Sequence, residues 1–142
     1  MRSAPLARFV DYWQTLTPST VNAITAVYAT DAYFRDPFNE ATGSEKIRHI
    51  FADMFVRLNE PTFNITETVE EPHGALLIWD FTFRIKALKP QITRRIHGSS
   101  HIRFATDGRV QYHRDYWDAA GELYEQLPLL GVLMRFLKKR AG

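Results

Sequence analysis

Apolar residues recur at helical spacing up to about residue 59. They alternate with polar ones from about 62 to 118, and return to helical spacing in the tail. Leu6, Phe9, Val10, Trp13 and Leu16 form a one-sided stripe that predicts a first helix. Thr17-Pro18 reads as the start of a second, continued by Val21, Ile24, Val27 and Tyr28, with proline at its first position. Tyr33-Phe34-Arg35-Asp36 is predicted to be extended, because the residue before Pro37 avoids helix. Gly43-Ser44 predicts a third helix with Ser44 as N-cap, a stripe of Ile47, Ile50, Phe51, Met54, Phe55 and Leu58, and a stop at Pro61. Four strands are predicted at roughly 63–70, 75–87, 92–105 and 110–118. They are joined at His73-Gly74, Lys89-Pro90 and the hairpin turn Asp107-Gly108. Asp118 is placed to cap a last helix carrying Leu123, Leu127, Leu130, Met134 and Leu137, which ends in Lys138-Lys139-Arg140.

Helices set apart from a run of strands predict an α+β fold. The expected shape is a cone: three N-terminal helices packed on a strongly curved, mainly antiparallel sheet, plus a C-terminal helix. Neither a repeat nor a long linker divides the chain. Residues 1–142 are expected to form a single domain, with 119–142 a C-terminal helical extension.

Composition narrows the function classes. The 142 residues include no cysteine, which excludes disulfides, thiolate catalysis and cysteine-ligated zinc or iron–sulfur clusters. A reducing, cytoplasmic setting is expected. Eighteen basic groups against 16 acidic ones make a field too even for nucleic acid. A spanning helix needs ~20 apolar residues. The run from Leu127 to Leu133 is far shorter and soon meets Arg135, so no integral membrane segment is expected. The start, Met-Arg-Ser-Ala-Pro, is not followed by an apolar signal core. No metal-ligand spacing, phosphate loop or nucleophile elbow is present in the sequence, so no metal or cofactor is expected.

Three polar positions on apolar elements are candidates for chemistry. Asp36 follows two aromatics and is held extended by Pro37. Desolvation would raise its pKa and suit it to general base work, whereas the alternative is an ordinary turn aspartate. His113, Asp115 and Trp117 share one strand face at ~7 Å intervals. They could grip and protonate a ring-shaped ligand, or face solvent with Asp115 paired to an arginine. Asp80 shares a face with Ile78, Thr82 and Arg84, opposite Trp79, Phe81 and Phe83. That face is solvent, an interface or a polar cavity. The last helix has three readings: packing across the mouth of the cone, extending a dimer interface, or lying on an anionic membrane surface.

The stretch Tyr28-Ala29-Thr30-Asp31-Ala32-Tyr33-Phe34-Arg35-Asp36-Pro37-Phe38, then Gly43 and a helix, resembles the bacterial ketosteroid isomerases. More broadly, the order of motifs from Phe9 to Asp118 resembles the SnoaL-like branch of the nuclear transport factor 2-like superfamily. The resemblance implies that Asp36 is the proton-shuttling aspartate. It also implies that Tyr12, 24 residues earlier, is the oxyanion-hole tyrosine and Tyr28 a supporting one. Ser100 stands where the isomerase has its second acid, and Phe51 where a supporting tyrosine is expected. Asp115 adds a carboxyl at a position that is apolar in the isomerase. Arg114-Asp115-Tyr116 also resembles the end of limonene epoxide hydrolase, which implies Asp115 and Asp80 as an acid pair. Ile78 occupies the position of the intervening arginine, and Arg84 or Arg94 would have to replace it. A polyketide-cyclase reading needs an acid in the pocket, and Asp115 would supply it. The superfamily also implies a homodimer through the sheet.

Two function classes follow. One is a cofactor-free isomerase, cyclase or epoxide hydrolase-like enzyme acting on a small apolar, cyclic, polyketide-like or steroid-like ligand. Asp36, Tyr12 and Asp115 would be catalytic. Ser100, His113, Trp117, Asp80, Phe51, Phe55 and Tyr28 would bind or line the pocket. The other is a non-catalytic binding module that keeps the pocket.

Overall fold

A computed structural model describes residues 1–123 and 128–141. The elements in order are α1 (Ala4–Gln14), a single 3₁₀ turn (Val21–Ala23), α2 (Ile24–Val27), β1 (Tyr28–Arg35), β2 (Glu40–Thr42) and α3 (Ser44–Arg57). Then come β3 (Leu58–Glu71), β4 (Gly74–Ile85), β5 (Arg94–Phe104), β6 (Val110–Trp117), α4 (Ala119–Glu122) and α5 (Pro128–Ala141). The six strands form one sheet in the order β2-β1-β6-β5-β4-β3. β1 runs parallel to β6, and the other pairs are antiparallel. Register shifts in β1 and β3 add local twist and help to bend the sheet around the helices. The fold is the expected α+β cone.

Burial explains the layering. α1 turns Leu6, Phe9, Val10 and Trp13 inward, and α3 turns Ile47 and Phe51 inward. They meet Tyr28 and Phe34 of β1, Leu77, Trp79 and Phe83 of β4, Ile102 of β5 and Val110 of β6. Alternation along β4 is strict near its start: Ala75 and Leu77 are fully buried while Leu76 is 47% exposed. The Trp79, Phe81 and Phe83 face is therefore the inner one.

Five local expectations are corrected. The second helix shrinks to a 3₁₀ turn and the four residues of α2, because Thr17 N–H and the hydroxyls of Thr17, Ser19 and Thr20 bond among themselves, closing a turn that competes with helix. Tyr28 opens a strand instead of ending that helix. Gly43, not Ser44, is the N-cap of α3, and Ser44 is its first helical residue. Pro61 does not stop α3, which ends at Arg57. The proline sits inside β3 at a register shift on the sheet edge, where a missing N–H is tolerated. The last helical tract is divided into α4 and α5. Leu127, expected on its stripe, lies outside the described residues.

Gly43 adopts φ 111°, ψ 133°, which L side chains rarely reach. A Cβ there would meet only the Thr30 carbonyl, at 3.8 Å, so the backbone rather than crowding sets the cost. Gly43→Ala is expected to lower the unfolding free energy by roughly 1–3 kcal/mol in urea denaturation. A change within about 0.3 kcal/mol would contradict the assigned strain.

Candidate functional site

Sheet register puts the polar groups in one row. Leu77, Ser100 and Asp115 are partners across β4, β5 and β6, and Trp79, Gly98 and Trp117 form the adjacent row. Gly98 is necessary to this arrangement: a Cβ there would stand 2.5 Å from Trp79 Cη2. The indole lies across the glycine and reaches the next row, where Trp79 Nε1 donates to Ser100 Oγ at 2.8 Å. Ser100 Oγ then donates to Asp115 Oδ1 at 2.6 Å.

A second chain reaches the same oxygen from the other side. Trp13 Nε1 donates to Tyr28 Oη at 3.1 Å. Tyr28 Oη lies 2.6 Å from His113 Nδ1, and His113 Nε2 lies 2.6 Å from Asp115 Oδ1. Burial, with the charge of Asp115 adding to it, pushes the Tyr28 phenol well above its ordinary pKa of 10.0, so it stays protonated. Its oxygen accepts from Trp13, and a Tyr28 proton given to His113 Nδ1 leaves the imidazole's own N–H on Nε2. The remaining imidazole N–H, on Nε2, is then given to Asp115. Both chains thus begin at an indole and end on Asp115 Oδ1. Oδ2 has no hydrogen-bond partner among the described residues.

Asp115 lies in the wall of a cavity of about 520 Å³. The wall is mainly aromatic and aliphatic: Phe51, Phe63, Trp79, Phe81, Phe83, Ile96 and Trp117, with Phe38 set edge-on to Trp117 at a centroid distance of 5.4 Å. Asp36 shares this cavity. Its Oδ1 accepts from the backbone N–H of Phe38 (2.8 Å) and Asn39 (2.6 Å), and Asn39 Nδ2 lies 3.1 Å from Oδ1 and 3.2 Å from Oδ2. Asp36 is therefore both the turn aspartate and a cavity residue. Burial raises its pKa above the ordinary 3.8. The donors of Phe38 and Asn39 oppose this in part, and the charge of Asp115 raises it further. Behind the main cavity, a void of about 30 Å³ touches Ser100, His113 and Asp115, with room for one water.

The raised pKa of Asp36 has a consequence for stability. A carboxyl whose folded pKa lies above its unfolded value favours the fold below the unfolded pKa. That contribution is lost as pH rises through the folded value. Asp36→Asn keeps an oxygen for the N–H groups of Phe38 and Asn39 and cannot ionise. The variant is expected to match or exceed the parent's stability at pH ~7, and to lose that relative advantage below pH ~4. Paired urea melts at the two pH values measure this, and a variant that gains on the parent as pH falls would contradict it.

The expected site residues divide as follows. Asp36, Asp115, Trp117 and Phe51 line the cavity together. Ser100, His113 and Tyr28 are buried behind Asp115 and hold it, rather than facing the large cavity. Asp115 pairs with His113 and Ser100, not with an arginine. Tyr12 is not directed there: its hydroxyl lies within hydrogen-bond distance of the carbonyls of Thr20 (3.1 Å) and Val21 (3.2 Å), and burial pushes its pKa up to about 12. Trp13, one residue on, is the α1 residue that joins the network. Asp80 sits on the outer sheet face, where Oδ1 meets His97 Nδ1 at 2.8 Å and Oδ2 meets Arg95 Nη2 at 2.9 Å. Hydrogen bonds from His97 and then Arg95 hold its pKa below 3.8. Asp80 therefore shares no cavity with Asp115. Phe55 packs against the core but is absent from the cavity wall, which takes Met54 from the same helix.

Two sets of residues were not anticipated. Trp13 and Trp79 act as terminal donors, which needs cross-strand and helix–sheet register that a linear pattern does not carry. His49, Asp53 and Arg57 line the cavity from α3. Their four-residue spacing beside the apolar stripe was a usable signal. Among the described residues no cluster of three His, Asp or Glu side chains is set to hold a metal ion.

Comparison with solved structures shows the fold. A protein from Catenulispora acidiphila with a ketosteroid isomerase-like fold, in complex with trimethylamine, superposes with a TM-score of 0.73 at 16% identity, covering 87% of this chain and 92% of its own. An LEH-like epoxide hydrolase from M. tuberculosis gives 0.68 at 16% identity, covering 94% and 93%. A putative SnoaL-like polyketide cyclase from Shewanella putrefaciens gives 0.71 at 20%, covering 89% and 100%. A search of curated proteins gives no match. Residues 6–113, from the inward stripe of α1 to the histidine that touches Asp115, match the SnoaL-like domain, and the chain belongs to that family.

Proposed function

We propose that this protein is a cofactor-independent acid–base enzyme acting on a small, largely apolar substrate in the 520 Å³ cavity. The observation that carries the reading is the convergence of two donor chains on Asp115 Oδ1, which leaves Oδ2 without a partner among the described residues. A carboxylate fixed by one oxygen and open at the other is built to take a proton in a defined direction. Asp36, with its raised pKa, is the partner that holds or returns a proton. Ser100 and His113 are positioning residues for Asp115. Removal of a proton beside a carbonyl and its return at another carbon is an isomerisation, and attack by the resulting carbanion on a second carbonyl is a cyclisation. The neighbour described as a putative SnoaL-like polyketide cyclase, and the one with a ketosteroid isomerase-like fold, support this class. Epoxide opening would use Asp36 rather than Asp80 beside Asp115, since Asp36 lines the same cavity and Asp80 does not.

A homodimer through the outer sheet face belongs to the same reading. Val69 and Leu76, register partners on β3 and β4, expose 62% and 47% of their surface there. A cysteine-free chain also suits the reducing cytoplasm.

The test is deuterium wash-in. The protein is incubated in heavy water with a panel of small cyclic ketones and β-dicarbonyl compounds, and the products are weighed by mass spectrometry. Protein-dependent deuterium beside the carbonyl is expected. Ligands that bind yet exchange no faster than in buffer would establish a binding module instead.

A further inference from the structure

We propose that α5 docks the protein on an anionic lipid surface. The helix spans Pro128–Ala141. Gly131 is buried and Met134 half-buried, yet Val132, Leu133, Phe136 and Leu137 remain 61%, 47%, 54% and 48% exposed. At 100° per residue these four fall within an arc of about 140°. From Val132 to Leu137 they make an apolar face turned away from the domain, and Arg140 continues the same arc one turn beyond Phe136.

Charge identifies the occupant of that face. Residues 128–141 hold Arg135, Lys138, Lys139 and Arg140 and no acidic side chain. The whole chain carries only +2, so the remainder is net acidic by two charges. All of the surplus positive charge is therefore concentrated on this helix. Arg135 and Lys139 lie along one border of the face, and the Arg140 guanidinium sits 5.4 Å from the Phe136 ring. Pairing the helix with a second copy of itself would bring two such basic sets together with no acid on either helix to offset them. An anionic membrane offers an apolar layer and negative headgroups in the matching order. With 14 residues the helix is ~21 Å long, too short for a ~30 Å hydrocarbon core, so it lies in the interface instead of crossing it. Among the described residues no helix is long and apolar enough to span.

The test is co-sedimentation of the full chain with two vesicle preparations, phosphatidylcholine alone and phosphatidylcholine mixed with phosphatidylglycerol. The bound fraction is expected to be about tenfold higher on the anionic vesicles at low salt, and to fall toward the neutral level near 0.5 M NaCl. Lys138→Glu with Lys139→Glu should abolish the preference, and Phe136→Ser should weaken binding to both preparations. All three positions are exposed, so thermal melts should match the parent's. Were they not to match, the salt titration of the unaltered protein decides alone. Absence of binding to anionic vesicles, or binding indifferent to salt, would overturn the proposal. So would conversion of a dimer to a monomer by Phe136→Ser, which would place this face between two copies of the chain.

Discussion

Asp115→Asn is expected to slow deuterium wash-in by ~10²–10⁴-fold, the usual contribution of a positioned general acid or base. The substitution preserves shape and keeps an oxygen to accept from Ser100 and His113, so ligand affinity should change little. What it removes is the proton acceptor at Oδ2. A general base lost in this way lowers kcat and kcat/KM together and spares KM. The positioning residues predict a different signature. Ser100→Ala withdraws one donor from Oδ1 and leaves His113 in place, so its effect should be smaller than that of Asp115→Asn. If Asp115→Asn retained the parent rate, Asp115 would leave the mechanism and the two hydrogen-bond chains would be structural only. If Asp36→Asn alone abolished exchange, the base would be Asp36, with Asp115 tuning it through its charge.

Gly98→Ala is expected to destabilise the protein by roughly 2–6 kcal/mol, a large effect for one methyl group. The new Cβ would stand 2.5 Å from Trp79 Cη2, and Trp79 is only 6% exposed, so the indole has little room to withdraw. Overpacking costs about 1–3 kcal/mol, and the displaced Nε1–H would lose Ser100, adding about 1–3 kcal/mol for a buried donor without a partner. A second substitution separates the clash from any general intolerance of β5. Trp79→Leu removes the ring that the methyl group meets. Gly98→Ala combined with Trp79→Leu should therefore be less destabilised than the sum of the two single changes. Additive free energies from denaturant melts would mean that the indole does not depend on the missing side chain.

Several parts of this architecture were legible in the linear pattern, and the exceptions have physical causes. The stripes of α1 and α3 and the alternation of β4 and β5 were readable because each element buries one face along its length. The Thr17–Thr20 turn was not, because hydroxyl bonds to nearby backbone groups leave no periodic mark. Nor was β2, whose three residues are too few for a pattern. In the site, period two placed His113, Asp115 and Trp117 together without reference to the rest of the fold. The same period could not say which face of β4 is inner, so Asp80 and Trp79 were equally eligible until register and burial separated them. Tyr12 shows a different gap. A separation of 24 residues from Asp36 pointed to it, but the α1 stripe already contained Trp13, about 100° around the helix from Tyr12. Helical phase was the better guide, and Trp13 is the residue bonded to Tyr28.

The parallel pairing of β1 with β6 governs when the site comes into being. β3, β4, β5 and β6 follow one another as antiparallel neighbours, so each pairing closes a short loop of chain. β1 must instead wait for a strand that follows most of the chain, and Tyr28 meets His113 across a separation of 85 residues. Contacts between distant segments pay their loop-closure entropy before they are rewarded, which makes them slow to form. On a ribosome the β3–β6 meander would have its own pairings available, whereas Asp36 and Asp115 come to face one cavity only when β1 pairs with β6. The site is thus expected to be a late product of folding. A lesion confined to the β1–β6 seam would dismantle it while leaving the meander's own pairings in place.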